Sequence, residues 1–187
     1  ISTLVGLIFF KEEEFEIPDT VYQIYLDGEK IGLINDKEAL YSLINDEQKE
    51  IKDTYNVDQV YPPNGFSIEK YTTYDSATTT VNDIYEKIKS EKDFTVKGYT
   101  ITIKSKDKND APKYIHVLDK KVFDNSIYNF ITTFVGEEKY LNYLNGTQEE
   151  IVDVGEIINN MYFDETLTIK DSYIGVDERI FTTEEEL

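Results

Sequence analysis

The chain has 187 residues, no cysteine, and 38 acidic against 19 basic residues, for a formal charge of −19. That length suits one ordinary domain or two small ones, and the missing cysteine excludes disulfides and thiolate metal sites. A surface this negative repels phosphate backbones and anionic lipid, so nucleic acid is not an expected partner.

Forty per cent apolar residues, with 15 Tyr and 10 Phe, suffice for a packed core. Lysine far outnumbers arginine, and Asn, Ile and Tyr are abundant, the usage of an AT-rich bacterial genome. The first ten residues, ISTLVGLIFF, are apolar and give way to Lys11-Glu12-Glu13-Glu14. They fall short of the ~18 residues that span a bilayer, and two readings stand: the outer end of a membrane helix, or a buried strand. Phe15 to Ile17 alternates with Glu and ends at Pro18, an edge strand or lead-in. Residues 1–20 thus form an apolar and acidic lead-in.

Residues 21–95 read as a first hairpin–helix unit. VYQIYL and EKIGLI flank Asp27-Gly28, the dipeptide of a type I′ turn, in which both central residues need positive φ. A two-residue turn sets Leu26 opposite Glu29, Ile24 opposite Ile31 and Tyr22 opposite Leu33. Asp36 is the expected N-cap of a helix in which Leu40, Leu43, Ile44 and Ile51 recur at helical spacing. Tyr61-Pro62-Pro63-Asn64-Gly65 breaks regular structure before a β-rich run from Phe66 to Tyr74. Thr80-Val-Asn-Asp83 opens a second helix carrying Val81, Ile84 and Ile88, which ends around Ser90 to Asp93.

Residues 96–187 read as a second unit. Tyr99, Ile101 and Ile103 alternate with Thr100 and Thr102 as Tyr22, Ile24 and Leu26 do with Gln23 and Tyr25. The return strand is Lys113 to Leu118, and Asp119 takes the place of Asp36. Phe123, Ile127, Phe130, Ile131 and Phe134 make a wide apolar face, with Gly136 as the stop. Glu137 to Asn145 reads as a short helix; Ile151 to Ile158, Glu165 to Ile169 and Arg179 to Phe181 read as short strands. Thr182 to Leu187 is a helix start with acidic first-turn residues. Because a chain seldom finishes on a cap, we expect the natural chain to continue. The fold class is α+β: two β-hairpin–helix units with antiparallel sheets, plus short C-terminal strands.

Candidate chemistry is sparse. His116 is the only histidine, so no site built on two histidines exists, and neither G-x-S-x-G nor Cys supplies a nucleophile. Glu12-Glu13-Glu14, Glu149-Glu150 and Glu184-Glu185-Glu186 are runs of neighbours that point apart, as solvated charge does. Asp107-Lys-Asn109-Asp110 lacks the glycine of a calcium loop, with Pro112 in its place. Asn145-Gly-Thr147 is a glycosylation sequon that is irrelevant to a bacterial chain. Tyr22, Tyr25, Tyr71, Tyr74, Tyr99 and Tyr114 fall in the β-rich runs, where their rings pack on a half-exposed sheet or form a binding surface. No metal or cofactor is expected.

The run VYQIYLDGEKIGLINDKEAL resembles the extracytoplasmic N-terminal modules of membrane-anchored M23-type peptidoglycan endopeptidases of Gram-positive bacteria. Those modules carry a Y-x-V-x-x-D-G-x-x-I-G-x-V pattern. FVGEEKYLNYLNGTQEEI and DERIFTTEEEL are similar to the segments just before the peptidase domain. The resemblance implies no catalytic residue here, because that family's zinc site needs H-x-x-x-D and H-x-H. It implies a non-catalytic spacer, regulatory or partner-binding module at the bacterial surface, membrane-anchored, with the enzyme beyond Leu187. Expected partners are peptidoglycan or a wall-associated protein, and the downstream catalytic domain of the same chain. The alternatives are a stand-alone carbohydrate- or peptide-binding adhesion domain using the tyrosine-lined sheet, and a hydrolase built on a carboxylate pair.

Overall fold

The computed structural model describes residues 17–75, 77–151 and 154–187. The expected strand around Phe15 and the apolar run 1–10 lie outside the described residues. The fold is α+β with antiparallel and mixed sheets. It divides into two units, one taking in residues through Ser42 and Gly65–Ile88, the other Leu43–Asn64 and Lys89–Leu187. The division is interleaved, where the sequence suggests a single cut after residue 95. A short strand accounts for this: Val60 pairs with Val96, drawing residues near 60 into the second unit.

In the first unit, β1 (Asp19–Leu26) is the central strand. It pairs antiparallel with β2 (Glu29–Ile34) on one side and β4 (Phe66–Thr73) on the other. Asp27 and Gly28 both take positive φ, 48° and 85°, as the turn requires. The register differs from the expected one after Tyr25↔Lys30. Ile31 is bulged, so Ile24 faces Gly32 and Tyr22 faces Ile34. Packing explains the bulge. A Cβ at residue 32 would collide with the side chain of Ile84, from helix α2 (Val81–Glu91), so the position opposite Ile24 must be a glycine. Val21, Ile24, Leu26, Ile34, Leu40, Ile84 and Ile88 are buried in this unit. Each contributes ~1.5–3 kcal/mol by leaving water.

Helix α1 (Lys37–Tyr55) is capped by Asp36, whose carboxylate accepts from the Ala39 N–H at 3.0 Å. It stops at Asn56, which has φ +50° while Val57 N–H donates back to Lys52. Thr80 caps α2 by accepting from the Asp83 N–H at 3.1 Å.

The second unit repeats the first arrangement. Its central strand β5 (Thr95–Lys104) pairs antiparallel with β6 (Lys113–Val117) on one side and β7 (Thr166–Gly175) on the other. Strand β3 (Val60–Tyr61), unforeseen in the sequence, pairs with the start of β5, and β8 (Ile180–Phe181) joins β6 in parallel. Helix α3 (Lys120–Val135), capped by Asp119, follows the hairpin as α1 follows β2. It ends at Gly136, whose φ of 84° suits glycine, and α4 (Glu137–Asn145) follows. The shared plan is therefore hairpin, helix, then a third strand returning to the free edge of the first.

Two faces of the second sheet are buried differently. Ile101, Val117 and Phe123 form one core with Tyr99, Ile103, Ile115, Ile127, Leu167, Ile169 and Phe181 packed on it. The opposite face buries Val96 and Ile174, near where Gln48 of α1 donates to the Val60 carbonyl and Tyr55 donates to that of Val176. The strand expected over Ile151 to Ile158 is not formed: Ile151 and residues 154–158 are irregular. Gln148 replaces a strand partner there, its side chain exchanging hydrogen bonds with the N–H and C=O of Ile158 at 2.8 and 2.9 Å. Thr183 closes the chain with a capping box to Glu186 around a 3₁₀ turn, Glu184–Glu186.

Candidate functional site

The six strand tyrosines separate by strand alternation. In the first unit, Tyr25 and Tyr71 share the outer face of the sheet with Glu69. Tyr25 donates to the Glu69 carboxylate, and partial burial, then that bond, push its phenol above the ordinary value. Tyr22 lies on the opposite face, with the Lys37 ammonium 5.6 Å from its ring centre. Tyr74 sits past the end of β4 and is 73% exposed; Tyr71 is 56% exposed. In the second unit, Tyr99 packs on the Ile101 core, whereas Tyr114, paired with Thr102, occupies the other face and is 60% exposed. Only Tyr25 and Tyr71 are brought together with a carboxylate.

His116 lies on that same second face. Its Nδ1 is 3.0 Å from the Thr100 hydroxyl, which is 2.6 Å from the Ser172 hydroxyl. The register produces this chain, since His116 sits opposite Thr100 while Ser172, opposite Gly98, is the diagonal neighbour of Thr100 on the same face. Among the described residues no carboxylate hydrogen-bonds to His116. The three groups are half-buried, and the chain satisfies them across three strands.

Asp93 and Asp177 meet beside Gly175. Partial burial, then the Asp177 hydrogen bond and the nearby Glu178, hold the Asp93 carboxyl above its usual range. Among the described residues no three His, Asp or Glu side chains converge as a metal site would require. Asp107 caps its own turn, accepting from the Asn109 N–H at 2.9 Å.

The concave apolar feature of the second unit lies at the far end of α3. The helix presents Phe123, Ile127, Phe130 and Phe134 in a row at steps of four, three and four residues. Phe123 is buried against the sheet, but Phe130 is 60% and Phe134 73% exposed. Their rings lie 4.9 Å apart, tilted at 60°. Beside them opens a groove of about 460 Å³. It is lined by Ile103 and Ile115 of the sheet, by Phe163 and Leu187, and by the charged residues Lys113, Glu165 and Glu184. Asn125 and Asn129 both donate to the Glu184 carboxylate, and Ser126 donates to its carbonyl. These donors are neutral, so Glu184 is held in place by hydrogen bonds and not by a cation.

No family model matches the chain, and no curated protein or solved structure is detectably similar to it. The groove was legible only in part. Phe130 and Phe134 stand out as a stripe, but a stripe does not show how far the covering sheet extends. Phe163 offered the better signal: Met161, Tyr162 and Phe163 interrupt a polar connection with three large side chains, and Tyr162 and Phe163 remain exposed.

Proposed function

We propose that this chain is a non-catalytic, partner-binding module of an extracytoplasmic, membrane-anchored protein of the M23-type peptidase kind. The aromatic row that α3 leaves exposed at Phe130 and Phe134 is the observation on which partner binding rests. Exposed rings grouped beside a groove are costly in water and are the usual mark of a surface that another molecule covers. The family part of the reading is supported by the Asp-Gly hairpin pattern at residues 21–40 and its recurrence in architecture from Tyr99 onward. The non-catalytic part is supported by His116, whose ring is engaged by Thr100 rather than by a carboxylate. Two measurements test the proposal. The open reading frame downstream of Leu187 is expected to encode H-x-x-x-D and H-x-H, and the purified chain is expected to leave peptidoglycan undigested. A stop codon in place of that domain, or muropeptide release by the chain alone, overturns it.

A second reading, a stand-alone carbohydrate- or peptide-binding domain, is favoured by the outer face of the first sheet. There Tyr71 is exposed beside Tyr25 and the Glu69 carboxylate, a ring-plus-acceptor arrangement suited to sugar. Saturable binding of wall glycan that Tyr71→Ala abolishes would establish it; calorimetry without heat on glycan titration would remove it.

A further inference from the structure

We infer that the groove between α3, the start of β7 and the 3₁₀ turn receives an amphipathic helical segment of a partner whose apolar face is flanked by Lys or Arg. The inference rests on the partner-binding reading and states what the partner must look like.

Three features select this occupant. Phe130 and Phe134 are one helical turn apart on an exposed ridge, the form against which a second helix packs ridge into groove. The row runs on from Phe130 to Phe134, which is exposed and is not among the residues that line the groove, so the apolar strip extends past the groove itself. A small ligand is enclosed by its site over most of its surface, whereas this groove is open to solvent and suits a chain segment. Charge sets the flanks. Glu165 and the fixed Glu184 line the groove against the single lining cation Lys113, and no cation pairs with either carboxylate among the described residues. A Lys or Arg beside the occupant's apolar residues gains both carboxylates without displacing an existing partner. A second copy of this chain is the wrong occupant, because two bodies each carrying −19 repel and would set acid rim against acid rim.

The test uses the 187-residue chain and two synthetic helical peptides with the same leucines at i, i+3, i+4 and i+7. One carries lysine and the other glutamate at the flanking positions. Fluorescence anisotropy is expected to show saturable binding of the lysine peptide and none of the glutamate peptide. Phe130→Ser and Phe163→Ser, both at exposed positions, are expected to weaken the lysine peptide by about tenfold or more, as loss of an aromatic anchor does. Glu165→Lys is expected to weaken it severalfold and flatten its salt dependence. If both peptides bind equally and both lose affinity in Phe130→Ser, the charge assignment is overturned while partner binding stands. If the lysine peptide binds equally to wild type and both Phe variants, the groove is overturned as the site. Concentration-dependent dimerisation in sedimentation, abolished by Phe130→Ser, overturns the inference in favour of self-association. None of these outcomes depends on what lies downstream of Leu187, so failure here is separable from failure of the family reading.

Discussion

Gly98→Ala should destabilise the second unit, and the reason is geometric rather than conformational. Gly98 lies within β5, opposite Ser172, and a Cβ there would stand 2.5 Å from the Val117 carbonyl oxygen and 2.7 Å from Ile174 Cδ1. The first neighbour is backbone and cannot rotate aside. The second belongs to a side chain that is 2% exposed and has no open space to enter. Either β6 draws back from β5, straining the Tyr99↔Val117 pairing, or Ile174 leaves its rotamer. Overpacking of this kind costs ~1–3 kcal/mol, and a backbone clash places it toward the upper end. The lost glycine entropy of the unfolded chain returns ~0.4–1 kcal/mol. A net loss of about 2 kcal/mol is expected, read as a lower urea midpoint at unchanged slope. Amide exchange should quicken in β5, β6 and β7 before it does in β1. Gly28→Ala is the comparator: its φ is +85° with nothing within 4 Å, so only left-handed backbone strain of ~1–2 kcal/mol applies. A Gly98→Ala midpoint matching wild type would refute the claim that β5 and β6 meet too closely for a methyl group.

Other perturbations address the remaining parts of the molecule. Gly32→Ala should cost ~1–3 kcal/mol in the first unit, since the methyl would strike buried Ile84, and Gly32→Ala/Ile84→Val should recover part of that loss in urea denaturation. Phe123→Ala, which empties the core between α3 and the second sheet, should cost ~3–5 kcal/mol and expose that core to a hydrophobic dye. Thr100→Val leaves His116 Nδ1 and the Ser172 hydroxyl without their shared partner and should cost ~1 kcal/mol by the same denaturation assay. Asp93 has its carboxyl held above the ordinary range, so its native form binds a proton more readily than the unfolded chain does. Its penalty is fully present above the raised native value and is lost as pH falls from there to the ordinary value of the unfolded chain. Asp93→Asn should therefore be more stable than wild type near neutrality, with the gain vanishing on mild acidification in paired urea titrations.

Local chemistry made much of the fold legible. Asp27-Gly28 specifies its turn because few residues tolerate two successive positive φ angles, and Asp36, Thr80 and Asp119 mark helix starts because their side chains satisfy amides that nothing else would. Period-two alternation marked β1 and β5, and their likeness announced the repeated hairpin and helix. The misplaced features are those with no local cause. The bulge at Ile31 exists because Ile84, fifty-three residues away, needs the backbone bare at Gly32. Strand β3 is two residues long and exists only because β5 offers an edge. Ile151 to Ile158 has strand-like composition, yet Gln148 takes the backbone groups that a neighbouring strand would have used.

The sequence by itself determined the α+β class, the two turn-and-cap frameworks and the solitary state of His116, since each depends on residues a few positions apart. Only the tertiary structure decided which apolar residues are covered. Helix α3 carries one continuous stripe, yet Phe123 is covered while Phe130 and Phe134 are exposed, and which part of a stripe is covered is fixed by pairing and packing between residues far apart in the chain. That difference leaves Phe130 exposed in the groove that Glu184 also lines, and it turns an ordinary amphipathic helix into the wall of a groove.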